Sequence, residues 1–297
     1  MKVKSLGIFI LVILLTLCGL PVLNCRWEAV AESAPEPKGG DDLRAKAQNP
    51  VSSMYSLPLK LTADFGAGNG DAYFFNINPV IPVTVGDWNL ISRALIPALV
   101  SVDGKIQGTP PIPEGESSDD RKTGLGDINY SLFVSPADAK GFIWGLGPSL
   151  TFPTATDDLL GSEQWSAGPG VVVVKMTGPW VLGGVANNIW SFAGDDDRSD
   201  VNLTNLQYFV YYSLDETTSI GASPNIIANW EQDSDNVWTV PVGLGISRTF
   251  QFGKLPVRFG AEAHYSIVQP DDTVGQEWNF RFYVIPAVPS ALFKWLD

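Results

Sequence analysis

The sequence predicts an all-β fold, an antiparallel up-and-down transmembrane β-barrel of about twelve strands. Three observations predict it. Apolar and polar residues alternate along most of the segments rich in β-forming residues, and long connections alternate with short ones. Past residue 31, no apolar stretch approaches the ~20 residues that a membrane helix requires. If the mature chain crosses a membrane, it must therefore cross with strands closed into a barrel.

Residues 1–31 have the pattern of a secretory signal peptide. Lys2 and Lys4 give the start a positive charge, and an apolar run that ends near Leu23 follows. Small residues up to Ala31 suit a signal peptidase. We therefore predict that the first 31 residues are removed during secretion.

Residues 32–51 are rich in Ala, Glu, Pro, Lys, Gly and Asp and have no hydrophobic period, which predicts a flexible periplasmic leader. The barrel is assigned to residues 52–297. Both cysteines, Cys18 and Cys25, lie in the predicted signal peptide. The mature chain would have no disulfide, no thiolate metal site and no cysteine nucleophile, and we expect neither a cofactor nor a metal.

The charge balance excludes nucleic acid as a partner. The full chain has 19 basic and 32 acidic residues, a formal net charge of −13. Three of the basic residues and one acidic residue lie in the signal peptide, so 16 basic and 31 acidic residues remain. A net charge of −15 offers no basic stripe for phosphates.

Twelve strands are predicted, separated by Gly, Asp and Pro. An even number keeps both termini of a bacterial barrel in the periplasm. The predicted strands span 56–65, 72–85, 88–100, 124–135, 142–153, 166–176, 180–192, 203–214, 219–230, 238–250, 255–268 and 276–286.

The connections between these strands alternate in length without a break. Short ones are typical of periplasmic turns and long ones of extracellular loops. The six long connections carry 18 acidic and four basic residues, including the runs Asp157-Asp158 and Asp195-Asp196-Asp197. No loop has the spacing of a dedicated calcium site. We interpret these runs as solvated loops that divalent cations bridge to lipopolysaccharide.

Within the strands, one face is apolar and the other is polar. Between residues 276 and 286, Trp278, Phe280 and Phe282 alternate with Glu277, Asn279 and Arg281. This period of two predicts lipid outside the barrel and a polar interior. Arg248 breaks the rule near a periplasmic end, where its long side chain can reach water.

Tryptophans concentrate near the predicted strand ends, where aromatic rings suit the two headgroup levels of a bilayer. The alternative is the aromatic core of a soluble barrel. The residues concerned are Trp88, Trp144, Trp165, Trp180, Trp190, Trp230, Trp238 and Trp278.

Several motifs resemble those of one family. They include Asn76-Ile77-Asn78-Pro79 and Asp87-Trp88-Asn89, Thr123-Gly124-Leu125-Gly126-Asp127, Phe152-Pro153-Thr154-Ala155-Thr156, Asn187-Asn188-Ile189-Trp190 and Glu277-Trp278-Asn279-Phe280. In these the chain, over 49–286, resembles the outer-membrane transporters of the phenol-degradation MetA-pathway type, whose relatives are often mislabelled neuromedin U. The resemblance implies a bacterial outer-membrane location and passage of small solutes, aromatic or hydrophobic ones among them.

Insertion into the outer membrane implies contact with its lipids and with the barrel-insertion machinery. Barrels of this type usually end on an aromatic residue that closes the last strand and is read by that machinery. Here residues 289–297 extend past the predicted last strand. The sequence therefore departs from the usual insertion signal.

Inward-facing polar residues are the candidate lining of the barrel. They are either a pore lining whose charges set selectivity or a plugged interior whose groups pair with one another. The candidates are Asn76, Asn78, Arg93, Asp127, Asn129, Lys175, Asn205, Gln207, Asn225, Asn229, Arg258, Glu262, His264, Asn279 and Arg281.

His264 and Ser266 are two residues apart and share a face, which also allows a lipid hydrolase with His264 as general base and Ser266 as nucleophile. The spacing resembles that of outer-membrane phospholipase A. However, Ile267-Val268 follow the serine, where that enzyme has Asn-Gly. We predict no enzymatic activity and leave a hydrolase or a structural barrel as alternatives to a channel.

Overall fold

A computed structural model describes residues 54–67, 70–103, 121–139, 141–253, 255–270 and 276–289. The predicted signal peptide and leader, and the extension beyond the last strand, lie outside these residues. Twelve barrel strands are present, four of them in two segments. Strands 1 to 6 are Met54–Ser56 with Leu59–Ala67, Gly70–Ile77 with Val80–Val85, Trp88–Val102, Lys122–Gly124 with Ile128–Pro136, Phe142–Phe152 and Gln164–Thr177. Strands 7 to 12 are Trp180–Gly194, Asn202–Ser213, Thr218–Ala222 with Asn225–Asn229, Trp238–Phe252, Leu255–Val268 and Trp278–Pro289.

Each strand pairs antiparallel with its neighbours in sequence, and strand 12 pairs with strand 1 to close the barrel. Leu59 faces Val284 and Phe65 faces Trp278 in this closing pair. The prediction of a twelve-stranded up-and-down barrel is therefore confirmed. No helix among the described residues is long and apolar enough to span a bilayer. A single 3₁₀ turn, Asp158–Leu160, packs in the connection between strands 5 and 6.

Three of the four divided strands are interrupted at a proline. Pro58, Pro79 and Pro224 lack the N–H that a central strand donates, whereas the fourth break lies at residues 125–127. Neighbouring strands still close the wall at three of these breaks. For example, the Asn78 N–H donates to the Pro58 carbonyl at 2.9 Å.

The wall between strands 9 and 10 is only partly paired. Residues 218–221 pair with 245–248, and Ile227 and Ala228 pair with Thr239 and Trp238. Between these stretches, residues 222–226 and 240–244 do not pair with each other, although all ten are described. Strand 9 therefore leaves the wall at Ser223-Pro224, and its backbone groups there need other partners.

The outer surface is an apolar belt. Outward-facing Leu61, Leu146, Leu244, Ile246 and Phe282 are among its most exposed side chains, and Leu244 is 66% exposed. Apolar area on this scale is stable only against lipid. The eight tryptophans of the predicted girdles are all exposed at strand ends. The belt, the girdles and the closed barrel place the protein in the bacterial outer membrane.

The inner face is polar in the middle of the barrel and apolar towards the short turns. An apolar cluster, called here the floor, occupies the periplasmic half of the barrel on one side. Its members come from strands 2 to 8. They are Val80, Ile91, Phe133, Ile143, Val172, Val174, Val181, Phe209 and Tyr211. The sequence predicted a polar interior throughout, so the floor is a departure from that prediction.

Candidate functional site

A cavity of about 140 Å³ lies inside the barrel. Its lining comes from strands 1 to 4, 7 to 9 and 12, and Gln276 also contributes. Nine of the twenty lining residues have amide side chains, four are charged and six are apolar. The lining residues are Lys60, Thr62, Asp64, Phe74, Asn76, Asn78, Arg93, Leu95, Pro97, Asn129, Asn187, Ile189, Leu203, Asn205, Gln207, Asn225, Ile227, Gln276, Asn279 and Arg281.

Three of the four charged residues that line the cavity are cations. Lys60, Arg93 and Arg281 face one anion, Asp64, which gives the lining a formal net charge of +2. Arg281 is 3.9 Å from the carboxylate of Glu262. Lys60 and Arg93 form no hydrogen bond or ion pair with any residue that the structure describes.

Glu262 is the centre of a buried polar network on strands 8, 9, 11 and 12. Its carboxylate accepts hydrogen bonds from the Tyr211 hydroxyl at 2.8 Å and from the Ser223 backbone N–H at 3.0 Å. The His264 Nε2 atom lies 3.0 Å from the same carboxylate. Several charge-assisted contacts to one carboxylate offset the free energy that its burial costs.

His264 continues this network to strand 1. Its Nδ1 atom lies 2.7 Å from Oδ1 of Asn279, and the Asn279 amide donates to Asp64 at 2.5 Å. Both ring nitrogens of His264 therefore face oxygen atoms of neighbouring side chains. His264 is 1% exposed, so the chain from Glu262 to Asp64 crosses the interior without contact with lipid.

Arg258 occupies the same side of the barrel, nearer to the periplasm. Its guanidinium donates to the Ser247 hydroxyl and to the Tyr283 hydroxyl, both at 3.1 Å. It also lies 4.5 Å from the centre of the Tyr211 ring. These contacts are typical of a buried guanidinium that is held by hydrogen bonds and cation–π interactions.

The network also replaces the ladder that is missing between strands 9 and 10. Glu262 accepts the Ser223 N–H, and Arg281 Nη1 donates to the Ser223 carbonyl at 2.6 Å. Arg281 Nη2 donates to Asn225 Oδ1 at 3.1 Å. The inward bend of strand 9 is therefore held by a carboxylate and a guanidinium from strands 11 and 12, which explains why both charges are buried there.

Nine of the fifteen residues that the sequence proposed as lumen-lining border the cavity. They are Asn76, Asn78, Arg93, Asn129, Asn205, Gln207, Asn225, Asn279 and Arg281. Three more, Arg258, Glu262 and His264, are buried in the adjoining network. Whether these residues set the selectivity of a pore stays a prediction.

Asp127 and Asn229 lie towards the extracellular end. Asp127 accepts hydrogen bonds from the backbone N–H groups of Thr154, Ala155 and Ser162, so it anchors the connection between strands 5 and 6. Asn229 is buried, and its side-chain oxygen accepts from the backbone N–H of the next loop at 3.2 Å. Both contacts hold loops in place.

Lys175 was predicted to face the lumen, and this prediction is wrong. Val172 and Val174 are buried in the floor, whereas Val173 is 39% exposed. Lys175 is two residues after Val173 and therefore lies on the same face of the strand. It pairs with the exposed Phe142 and is itself exposed on the outer face. On this part of the strand the apolar side chains point into the floor and the polar one points outward, the opposite of the predicted arrangement. Lys175 lies close enough to the periplasmic turn to reach water.

Lys60, Thr62, Asp64 and Asn187 were not among the predicted lining residues. The first three occupy alternate positions of strand 1, between apolar residues such as Leu61. That alternation is visible in the sequence and is the signal that identifies them. Asn187 lacks so clear a signal, because its neighbour Asn188 offers the same side chain on the other face.

The geometry does not support the hydrolase alternative. Ser266 is on the inner face and buried, and both ring nitrogens of His264 already face Asn279 and Glu262. No hydrogen bond joins His264 to Ser266 in the described part of the chain. A serine inside the barrel also has no access to lipid esters. Metal-binding side chains do not gather in groups of three or more within the described residues.

No protein-family model and no curated protein matches the sequence. Among solved structures, an outer-membrane channel from Pseudomonas putida F1 is similar over 80% of this chain and 95% of that one, at 16% identity and a TM-score of 0.55. The toluene transporter TodX of P. putida matches 82% of this chain and 92% of that one, at 9% identity and a TM-score of 0.40. Outer-membrane phospholipase A from Escherichia coli matches 84% and 97%, at 14% identity and 0.37. The first likeness supports the fold.

Proposed function

We propose that this protein is an outer-membrane channel for small solutes, aromatic or hydrophobic ones among them. The observation that carries the proposal is the cavity inside the barrel, lined by residues of eight of the twelve strands. Its volume of about 140 Å³ is close to the ~150 Å³ at which a protein cavity accommodates benzene. The amides and the apolar side chains together suit a solute with one polar end.

The secretory signal at residues 1–31, the leader and assembly by the barrel-insertion machinery belong to the same proposal. So does the resemblance to the MetA-pathway transporters, and contact of the acidic loops with lipopolysaccharide. The fold similarity to an outer-membrane channel supports this proposal. The charges of the cavity lining bear on which class of solute binds.

We propose that the floor closes this channel on the periplasmic side. Phe133, Ile91 and Phe209 lie between the cavity and the periplasmic turns, so a solute passes only if such side chains move aside. Glycines 145 and 170 leave room for the Phe133 ring, because a Cβ at either would come within 3.0 Å to 3.3 Å of neighbouring side chains, Phe133 among them. Phe133 is therefore the side chain whose removal should open the floor most.

Liposome swelling tests the proposal. Phe133→Ala should raise the swelling rate with small neutral solutes at least several-fold over the native protein, because it removes a ring from the floor. Phe142→Ala is the matched control, since Phe142 is 53% exposed on the outer face. Electrophoresis without heating verifies that each variant is folded. If both the native protein and Phe133→Ala leave the liposomes as impermeable as protein-free ones, the channel proposal is wrong.

A further inference from the structure

We infer that the cavity is a binding site for a small organic carboxylate, held by Lys60 and Arg93. This inference rests on the proposed function and names the class of solute. The first observation is the charge of the lining, with three cations against one anion. Glu262 pairs with Arg281, which leaves Lys60 and Arg93 against Asp64. An excess of positive charge inside a low-dielectric wall is unfavourable unless an anion compensates it.

The second observation is that the excess charge is concentrated on one side. On strands 11 and 12, Arg281 has Glu262 and two oxygen acceptors, and Arg258 has two hydroxyls. On strands 1 and 3, Lys60 and Arg93 contact none of the described carboxylates. Both are only partly buried although they lie inside the barrel, so the space that they face is the cavity.

Unpartnered polar atoms surround the same space. Arg281 Nε is buried without a hydrogen-bond partner, in a side chain that lines the cavity and is only 7% exposed. Buried polar groups are nearly always satisfied, so an unsatisfied donor beside the cavity indicates a missing acceptor. Asn78 Oδ1 is also buried without a partner, but it is itself an acceptor, and a carboxylate does not supply the donor that it needs. A solute bearing a carboxylate supplies acceptors for Arg281, Lys60 and Arg93.

The remaining lining explains why the anion would be organic. Phe74, Leu95 and Pro97 line the cavity on strands 2 and 3. Leu95 and Pro97 follow Arg93 at every second position towards the extracellular end. A carboxylate near Arg93 would therefore leave its hydrocarbon part against these apolar side chains. An inorganic anion would leave that apolar surface uncovered.

The acidic loops do not contradict an anionic solute. Among the described residues, Asp195, Asp196 and Asp197 are exposed to water, where salt screens their charges beyond about 8 Å at physiological ionic strength. The cations of the cavity lie inside the barrel wall and are screened much less. The loops should slow the approach of an anion without removing the affinity of the site.

Isothermal titration calorimetry of the mature protein in detergent micelles tests this inference. The probes are benzoate, its neutral analogue benzyl alcohol and the cationic benzylammonium. Benzoate should bind at least tenfold more tightly than the other two. Lys60→Met and Arg93→Met should each weaken benzoate binding about tenfold or more, because each removes a charge-assisted contact.

Lys175→Met is the matched control, because it removes the same charge from the outer face and should leave the affinity unchanged. Lys60→Arg and Arg93→Lys keep the charge and should retain binding within a few fold, which separates a lost contact from a misfolded barrel. The inference is overturned if benzyl alcohol binds as tightly as benzoate, if the two Met variants bind benzoate normally, or if chloride at equal concentration displaces benzoate.

Binding and passage are separate measurements. If benzoate binds but the liposomes do not swell, the carboxylate site is supported and the channel proposal is wrong. If the liposomes swell with neutral solutes but benzoate does not bind, the channel proposal is supported and the carboxylate site is wrong.

Discussion

Two sides of the barrel interior treat buried charge in opposite ways. On strands 11 and 12, Glu262, Arg258 and Arg281 each have hydrogen-bonded partners within 3.1 Å. On strands 1 and 3, Lys60 and Arg93 have none among the described residues. Both sides face the same interior, so the difference lies in what each charge contacts.

This difference separates charges that hold the wall together from charges that we propose bind a ligand. The partners of Glu262 and Arg281 include the backbone of Ser223, where strand 9 leaves the wall. These two charges therefore replace a missing ladder. Lys60 and Arg93 replace nothing in the fold, and holding two partly buried cations inside the barrel wall costs free energy that no described contact offsets. This cost supports the binding role that we propose for them.

The largest effect is expected on the paired side. Glu262→Ala should lower the free energy of unfolding by about 3–5 kcal/mol, because it leaves the Tyr211 hydroxyl, the Ser223 N–H and His264 without their hydrogen-bond partner. It also removes the ion-pair partner of Arg281. Guanidinium titration in lipid vesicles, followed by tryptophan fluorescence, measures it. Glu216→Ala, in an exposed turn, is the control and should change stability by less than about 0.5 kcal/mol. A loss equal to that of the control would show that Glu262 does not hold the bend.

The sequence predicted the barrel well because the fold depends on local patterns. In strand 12, the alternation of Trp278, Phe280 and Phe282 with Asn279 and Arg281 is the actual division between lipid and interior. The strand ends were also placed closely, with strand 5 predicted at 142–153 and found at Phe142–Phe152. Register and closure follow from such alternation, since a slip of one residue would turn charges towards lipid.

The sequence could not predict the site in the same way, because the site depends on contacts across the barrel. The bend at Ser223-Pro224 brings strand 9 to Glu262, 39 residues away, and no local pattern records that contact. Likewise the floor depends on which strands meet at the periplasmic end, so the sequence placed Lys175 on the wrong face of its strand. Alternation along a strand shows which residues share a face, but only the closed structure shows which charges on that face are paired.

On the unpaired side, a smaller effect of opposite sign is expected. Arg93→Met in the absence of carboxylates should raise the free energy of unfolding by about 1 kcal/mol, because it removes a buried charge that has no partner among the described residues. The same vesicle titration measures it, with Lys175→Met as the control of unchanged stability. A loss of more than about 1 kcal/mol would mean that Arg93 supports the wall, and the contrast between the two sides would then disappear.

The smallest effect is the coupling between the two unpaired cations. Lys60 and Arg93 line one cavity and repel each other, so removing either should relieve part of the cost of burying the other. The double variant Lys60→Met with Arg93→Met should therefore gain less stability than the sum of the single variants, by about 0.5 kcal/mol. Repeating the double-mutant cycle with saturating benzoate should reverse its sign, because a carboxylate bound between the two cations makes each depend on the other. Strict additivity under both conditions would show that Lys60 and Arg93 do not share a ligand.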